Sequence, residues 1–198
     1  TSVTIAATIG SASKTAAISV TPLLLSSYTL GTTVVGGKTL TGTVTLNGTA
    51  PTGGAAVQLS SDNAAGTVPA SVLVKSGATS ATFSLITKQV TSPATVNVTA
   101  TFNGITKSTV TTVTVITITS MTLNPTSLTG GLSSTGSITI SGPAPVGGAV
   151  ITLTSANPDI LSVPASVSIA AGATSAAFKV SAVHVDALTQ SSVSASYL

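Results

Sequence analysis

The chain has 198 residues, of which 5% are charged and 3% are aromatic, and its formal net charge is only +3. An average soluble protein carries about 25% charged residues, and a nucleic-acid binder gathers Lys and Arg on one face. The six Lys residues are scattered here and Arg is absent, so nucleic acid is not expected as a partner. Thr and Ser interrupt every apolar stretch before it reaches the ~18 residues that a membrane-spanning helix needs, so no membrane span is expected either.

Residues 1–20 contain two strand patterns joined by a turn at Gly10. The segment 5–14 resembles the segment 98–107, which lies 93 residues later and closes a complete repeat. Residues 1–20 are therefore predicted to be the last two strands of a preceding repeat, or donor strands for another subunit. A two-stranded hairpin is marginally stable alone, so this segment is expected to pair with something, within the chain or outside it.

Residues 27–116 show the period-2 alternation of half-buried β-strands. In the clearest example, the inward positions Leu40, Gly42, Val44 and Leu46 alternate with three Thr residues. Turns are predicted at Asn-Gly and Gly-Gly pairs, which adopt the positive φ of tight turns, at residues 47–48, 53–54 and 103–104. About seven strands are expected, which matches a complete immunoglobulin-like sandwich of about 100 residues.

The same pattern recurs in residues 118–198. Two pentapeptides show the repeat most plainly, each returning 95 residues later: VPASV at 68–72 and 163–167, and GATSA at 77–81 and 172–176. The inward positions are apolar in both copies. Tyr197 aligns with Phe102, so the second repeat is expected to have about the same strands but to lack the last one.

The stretches TGTVTL, GGAAVQLSS, VPASV, GATSATF and VTATFNG together resemble bacterial immunoglobulin-like repeats of the Big type. Repeats of that class occur in long surface and secreted proteins. The resemblance implies tandem immunoglobulin-like β-sandwich domains and an extracellular or cell-surface location. Members serve as stalks, spacers, adhesin shafts or carbohydrate-associated modules, and the fold alone does not choose among these roles.

Groups that catalyse reactions or bind metals are scarce, because the chain has one His, three Asp and neither Glu nor Cys. His184 and Asp186 could serve a Ser nucleophile, but their segment is expected to be a solvated loop. Asp62 and Asp159 occupy equivalent loops, where one acid per loop is too few for calcium and favours a turn held by Asx hydrogen bonds. No catalytic residue, cofactor or metal ligand is therefore assigned, and the chain is not expected to be an enzyme.

Three Asn residues are candidates for N-glycosylation or for a side-chain cross-link. Asn47 and Asn97 begin N-glycosylation patterns, which are frequent by chance in a Thr-rich chain. Lys38 could form a side-chain cross-link with Asn97 or Asn103, although the second repeat has no Lys at the equivalent position. Ordinary surface roles are expected for all four residues. Tyr28 is the aromatic residue that is not assigned to a core face, and no exposed aromatic platform for a polysaccharide is expected.

The function expected from the sequence is that of a non-catalytic repeat segment of an extracellular stalk or filament. The links at residues 21–26 and 116–120 are apolar and β-branched, which predicts stiff articulation rather than a flexible tether. Two interpretations of residues 1–20 stay open: a slice of a longer array, or self-association by strand complementation between subunits. The competing hypothesis is an adhesin or carbohydrate-binding module, whose recognition would lie in loops at one end of a sandwich.

Overall fold

The computed structural model describes residues 2–197, and these residues form β-strands and loops without a helix. The chain opens with β1 (Ser2–Ile9) and β2 (Ala12–Ser19), which pair as a two-stranded sheet that we call the hairpin. The β-branched residues of both strands favour extended backbone. Gly10, with a φ of 57°, supplies the positive φ at the turn between them.

The next nine strands form a sandwich-like pair of sheets, which we call the first unit. Their bounds are β3 (Leu25–Thr29), β4 (Thr33–Val35), β5 (Thr39–Leu46), β6 (Ala55–Ser61), β7 (Gly66–Thr67), β8 (Ser71–Val74), β9 (Ser80–Thr87), β10 (Ala94–Phe102) and β11 (Ile105–Thr114). One sheet has the order β3–β5–β9–β7 and the other has the order β4–β11–β10–β6–β8. Neighbouring strands are antiparallel, except that β4 and β11 are parallel. Because side chains alternate along each strand, each sheet turns apolar residues such as Val44 and Val98 into one core.

The last seven described strands form the second unit. Their bounds are β12 (Ile118–Asn124), β13 (Ser133–Ile140), β14 (Ala149–Ser155), β15 (Leu161–Ser162), β16 (Ser166–Ile169), β17 (Ser175–Ala182) and β18 (Val193–Ser196). The sheet orders are β12–β13–β17–β15 and β16–β14–β18. A separate core forms around buried residues such as Ile138 and Ile151. The prediction of an all-β chain with sandwich-like sheets is confirmed.

The two units repeat one packing arrangement between a glycine and a phenylalanine. Gly42 on β5 lies opposite Phe83 on β9, and Gly136 on β13 lies opposite Phe178 on β17. A Cβ atom at Gly42 would lie 2.3 Å from the Phe83 ring, and one at Gly136 would lie 2.2 Å from the Phe178 ring. Each ring therefore lies across the neighbouring strand, and only glycine leaves room for it.

Candidate functional site

His184 and Asp186 lie on the exposed segment that follows β17. The His184 Nδ1 atom is 3.8 Å from Asp186 Oδ1, and the two side chains are 83% and 103% exposed. Solvent screens an ion pair of this kind, so the pair contributes little to stability. The segment is a solvated loop, as the sequence predicted.

Asp62 and Asn63 use their side chains to hold the loop after β6. Asp62 Oδ1 accepts a hydrogen bond from the Asn97 main-chain N–H at 2.8 Å. Asn63 Oδ1 accepts one from the Ala65 N–H at 2.9 Å, which is an Asx turn, and its Nδ2 donates to the Thr95 carbonyl at 3.0 Å. Within residues 2–197, no group of three or more His, Cys, Asp or Glu side chains could hold a metal ion. The predicted Asx-stabilised turn is confirmed in this loop.

Tyr28 packs in the first core, which the sequence did not predict. Its ring stacks on Phe83 with a centroid distance of 5.8 Å and an interplanar angle of 9°. Its hydroxyl donates to the Val98 carbonyl at 3.3 Å, and burial raises the pKa of Tyr28 to about 12. A register shift between Leu25 and Ser27 places Leu25 and Tyr28 on the same face, which strict alternation along the strand does not do.

One candidate cross-link pair, Lys38 and Asn103, lies far apart. The Asn103 side-chain N–H donates to the Leu23 carbonyl at 2.9 Å, at the β10–β11 turn where β11 begins. Lys38 lies near the other end of β11, because its main-chain N–H donates to the Val35 carbonyl and Gly36 bonds to Thr114. The ten residues of β11 separate these two sites, a span of about 33 Å. The pairing of Lys38 with Asn103 is therefore wrong.

The two units hold their preceding linkers in the same way. Asn47 Oδ1 accepts from the Leu24 N–H at 2.8 Å, and Asn47 Nδ2 donates to the Pro22 carbonyl at 3.1 Å. In the second unit Ser141 takes the same position, and its Oγ accepts from the Thr117 N–H at 3.0 Å. Main-chain hydrogen bonds join the same residue pairs, Asn47 to Leu24 and Ser141 to Thr117. Each linker therefore enters its unit in a fixed direction.

The first and second units also contact each other directly. Val35 of the first unit packs against the core of the second unit, and Gly142 lacks the Cβ that would lie 2.7 Å from Val35 Cγ1. The Gln89 side-chain N–H donates to the Pro143 carbonyl at 2.6 Å. Ile116, in the linker, is buried in the second core. A half-buried side chain of the first unit thus packs against the second core.

An apolar cleft of about 540 Å³ opens beside this junction. It lies between the linker at residues 115–118, the segment 89–91 of the first unit and the end of β18 in the second unit. Among the residues that the structure describes, no charged side chain lines the cleft. The cleft therefore offers packing surface rather than groups that would orient a polar ligand.

The hairpin reproduces the register of β10 and β11. The pair Ser2–Ser19 corresponds to Thr95–Thr112, and every later pair corresponds after the same shift of 93 residues. Burial differs completely, because every residue of β1 and β2 is exposed. Ile5 is 65% exposed, whereas its counterpart Val98 is fully buried. The hairpin has the inner-face side chains of a sandwich strand pair but no facing sheet within the described residues.

The second unit has an edge where the first unit has a buried strand pair. Strand β18 has four residues and forms the edge of its sheet in the described chain, whereas its counterpart β10 has nine and is flanked by β6 and β11. Val193 and Ala195 of β18 are only partly buried, although their counterparts Val98 and Ala100 are fully buried. The hydroxyl of Ser191, just before β18, is buried and has no hydrogen-bond partner among residues 2–197.

Comparisons with known proteins do not identify a relative. No protein-family model matches the chain, and no curated protein matches it. Among the residues that the structure describes, no helix is long and apolar enough to cross a membrane. The junction, the hairpin and the edge of β18 are therefore the features of this chain that bear on its function.

Proposed function

We propose that this chain is a non-catalytic structural segment of an extracellular stalk or filament, built from tandem immunoglobulin-like sandwiches of the bacterial Big type. The observation that carries the proposal is the junction between the units. A stalk must transmit orientation from one module to the next, and here Val35 of the first unit packs against the second core.

The order of the strands supports the immunoglobulin-like assignment. In the constant type of that fold, one sheet has the first, second, fifth and fourth strands and the other has the third, sixth and seventh. The order β3–β5–β9–β7 corresponds to the first sheet, and β6–β10–β11 corresponds to the second. The parallel pairing of β4 with β11 lets the first strand segment pass from one sheet to the other.

The linker contacts support a stiff rod rather than modules on a tether. A Gly/Ser-rich tether behaves as a random coil, whereas residues 22–24 and 117 are hydrogen-bonded to the unit that follows them. Ile116 is anchored in the second core. The charge-poor surface, with a net charge of +3, offers little electrostatic repulsion to packing between rods.

The test is the distribution of distances between spin labels placed on exposed Thr82 of the first unit and exposed Ser168 of the second. We expect one narrow distribution, because the junction fixes the two units. Val35→Ala combined with Gln89→Ala should broaden it while both units stay folded. Gln58→Ala, a substitution on the exposed face of β6, is the matched control and should leave the distribution unchanged.

Two outcomes would contradict the proposal. A broad distribution in the unsubstituted chain would show that the units are tethered rather than joined. A saturable signal for the chain on a glycan array would instead favour the competing adhesin or carbohydrate-binding function, since a stalk segment needs no such site.

A further inference from the structure

We propose that the hairpin of one copy of this chain inserts into the second unit of another copy, where it takes the place of β18. This inference deepens the proposed structural function and rests on it, because it names the partner that would extend a two-unit segment into a filament. The partner is a second copy of the same chain.

The face of β1 that would become buried is the face that β10 buries in the first unit. Its residues are Val3, Ile5, Ala7 and Ile9, and they correspond to Val96, Val98, Ala100 and Phe102. Val96, Val98 and Ala100 are fully buried, whereas Val3 is 48% exposed and Ile9 is 84% exposed. Apolar side chains at these positions stabilise the folded state only when a facing sheet removes them from water.

The second unit accommodates β18 less well than it would accommodate β1. The shifts of 93 and 95 residues place four residues of β1 at positions now held by the β18 segment: Val3 at Ser191, Ile5 at Val193, Ala7 at Ala195 and Ile9 at Tyr197. The exchange replaces the buried and unpartnered Ser191 hydroxyl with the Val3 side chain. Such a hydroxyl costs free energy while it lacks a hydrogen bond.

The exchange keeps the main-chain pairing of the second unit. Strand β18 pairs with β14 through four residues, and β10 pairs with β6 through four residues in the equivalent register. In that register Ala6 of the incoming β1 lies opposite Thr154, where Ser194 lies now. Strand β2 enters with β1 and supplies the strand that corresponds to β11, which the described second unit does not contain.

Repetition of the contact gives an open filament rather than a closed dimer. Each copy would donate a hairpin and accept one at different surfaces, and such a heterologous contact propagates along an axis when its rotation does not close a ring. The linker after β2 corresponds to the linker after β11 and is held by Asn47 as the later linker is held by Ser141. The spacing between copies would therefore match the spacing between units within a copy.

The test uses engineered disulfides, which the chain permits without background because it has no Cys. A chain carrying Ala6→Cys and Thr154→Cys should give a ladder of covalent oligomers under mild oxidation. The matched control carries Ile5→Cys and Thr154→Cys, which places the first thiol on the opposite face of β1. This control should run as a monomer in electrophoresis without a reducing agent. Adding Ile5→Asp to the first variant should abolish the ladder without lowering the thermal stability of the two units, because Ile5 is exposed in the single chain.

Two results would overturn the inference. One is that the first variant stays monomeric although circular dichroism shows that its two units are folded. In that case the spin-label distances would still test the proposed function independently. The other is a ladder obtained instead with Thr15→Cys and Ser194→Cys, because that pair reports β2 added beside an undisplaced β18.

Discussion

The hairpin β1–β2 and the strand pair β10–β11 have the same register and the same alternation of side chains, yet one is exposed throughout and the other lines a core. The difference arises from their neighbours. β10 lies between β6 and β11 and faces a second sheet, whereas the hairpin forms a sheet of two strands. Local sequence therefore specifies the strand and its inner face, and tertiary contacts decide whether that face is buried.

Truncating one matched residue in each strand pair should change stability most. Val98→Ala removes two methyl groups from a fully buried position, so the free energy of unfolding of the first unit should fall by about 2 to 3 kcal/mol. Ile5→Ala should leave it unchanged in the monomeric chain, because Ile5 is exposed. Urea denaturation of both variants measures the difference, and equal losses would show that the hairpin is already part of a core.

The second prediction compares two glycines of the first unit. Gly42→Ala forces a Cβ against the Phe83 ring, so it should lower the free energy of unfolding by roughly 1 to 3 kcal/mol. Gly48→Ala is the control, since its Cβ would meet only Leu23 Cδ1 at 3.4 Å, an ordinary contact. Thermal unfolding of the two variants should rank them in this order. Equal stability would contradict the packing described for the ring.

The third prediction concerns the two hydrogen bonds by which the Asn47 side chain holds the linker before the first unit, which we call the Asn47 clamp. Asn47→Ala removes two side-chain hydrogen bonds, and the cost should be about 1 kcal/mol because both bonds are solvent-exposed. Asn47→Ser introduces the residue that performs the same task in the second unit, so it should recover about half of the loss. Hydrogen exchange of the Leu24 amide reports the clamp directly. Unchanged exchange in Asn47→Ala would refute it.

The last effect is absent at neutral pH, because it is a pH dependence at Tyr28 that arises only in alkali. Burial raises the pKa of Tyr28 from 10.0 to about 12, so over that interval the unfolded chain loses the Tyr28 proton and the folded chain keeps it. Stability should therefore fall as the pH rises from about 10 to about 12. Tyr28→Phe should flatten this part of the stability profile. An unchanged slope in that variant would mean that Tyr28 does not cause the dependence.

The sequence was sufficient for features that depend on local chemistry. Alternating apolar residues such as Val44 and Leu46 predicted strands correctly, and pairs such as Gly53-Gly54 predicted turns, because side-chain period and backbone freedom are properties of a few neighbouring residues. The internal repeat was visible for the same reason. These signals predicted an all-β chain and its inward positions.

The sequence did not predict contacts that join distant segments. A register shift moved Tyr28 onto the core face, where period-2 counting does not place it. The Asn47 clamp and the packing of Val35 against the second core depend on which loops meet after folding. The pairing of Gly42 with Phe83 likewise needs the register between β5 and β9. Each contact depends on an arrangement of sheets that no local pattern encodes.

Negative-stain imaging of the purified chain shows the orientation of successive units, on which the proposed stalk depends. We expect class averages in which the first and second units keep one fixed angle, and end-to-end rods with a constant unit spacing where copies assemble. Averages that show the two units at a continuous range of angles would mean that a flexible tether joins them and would refute the proposed stalk.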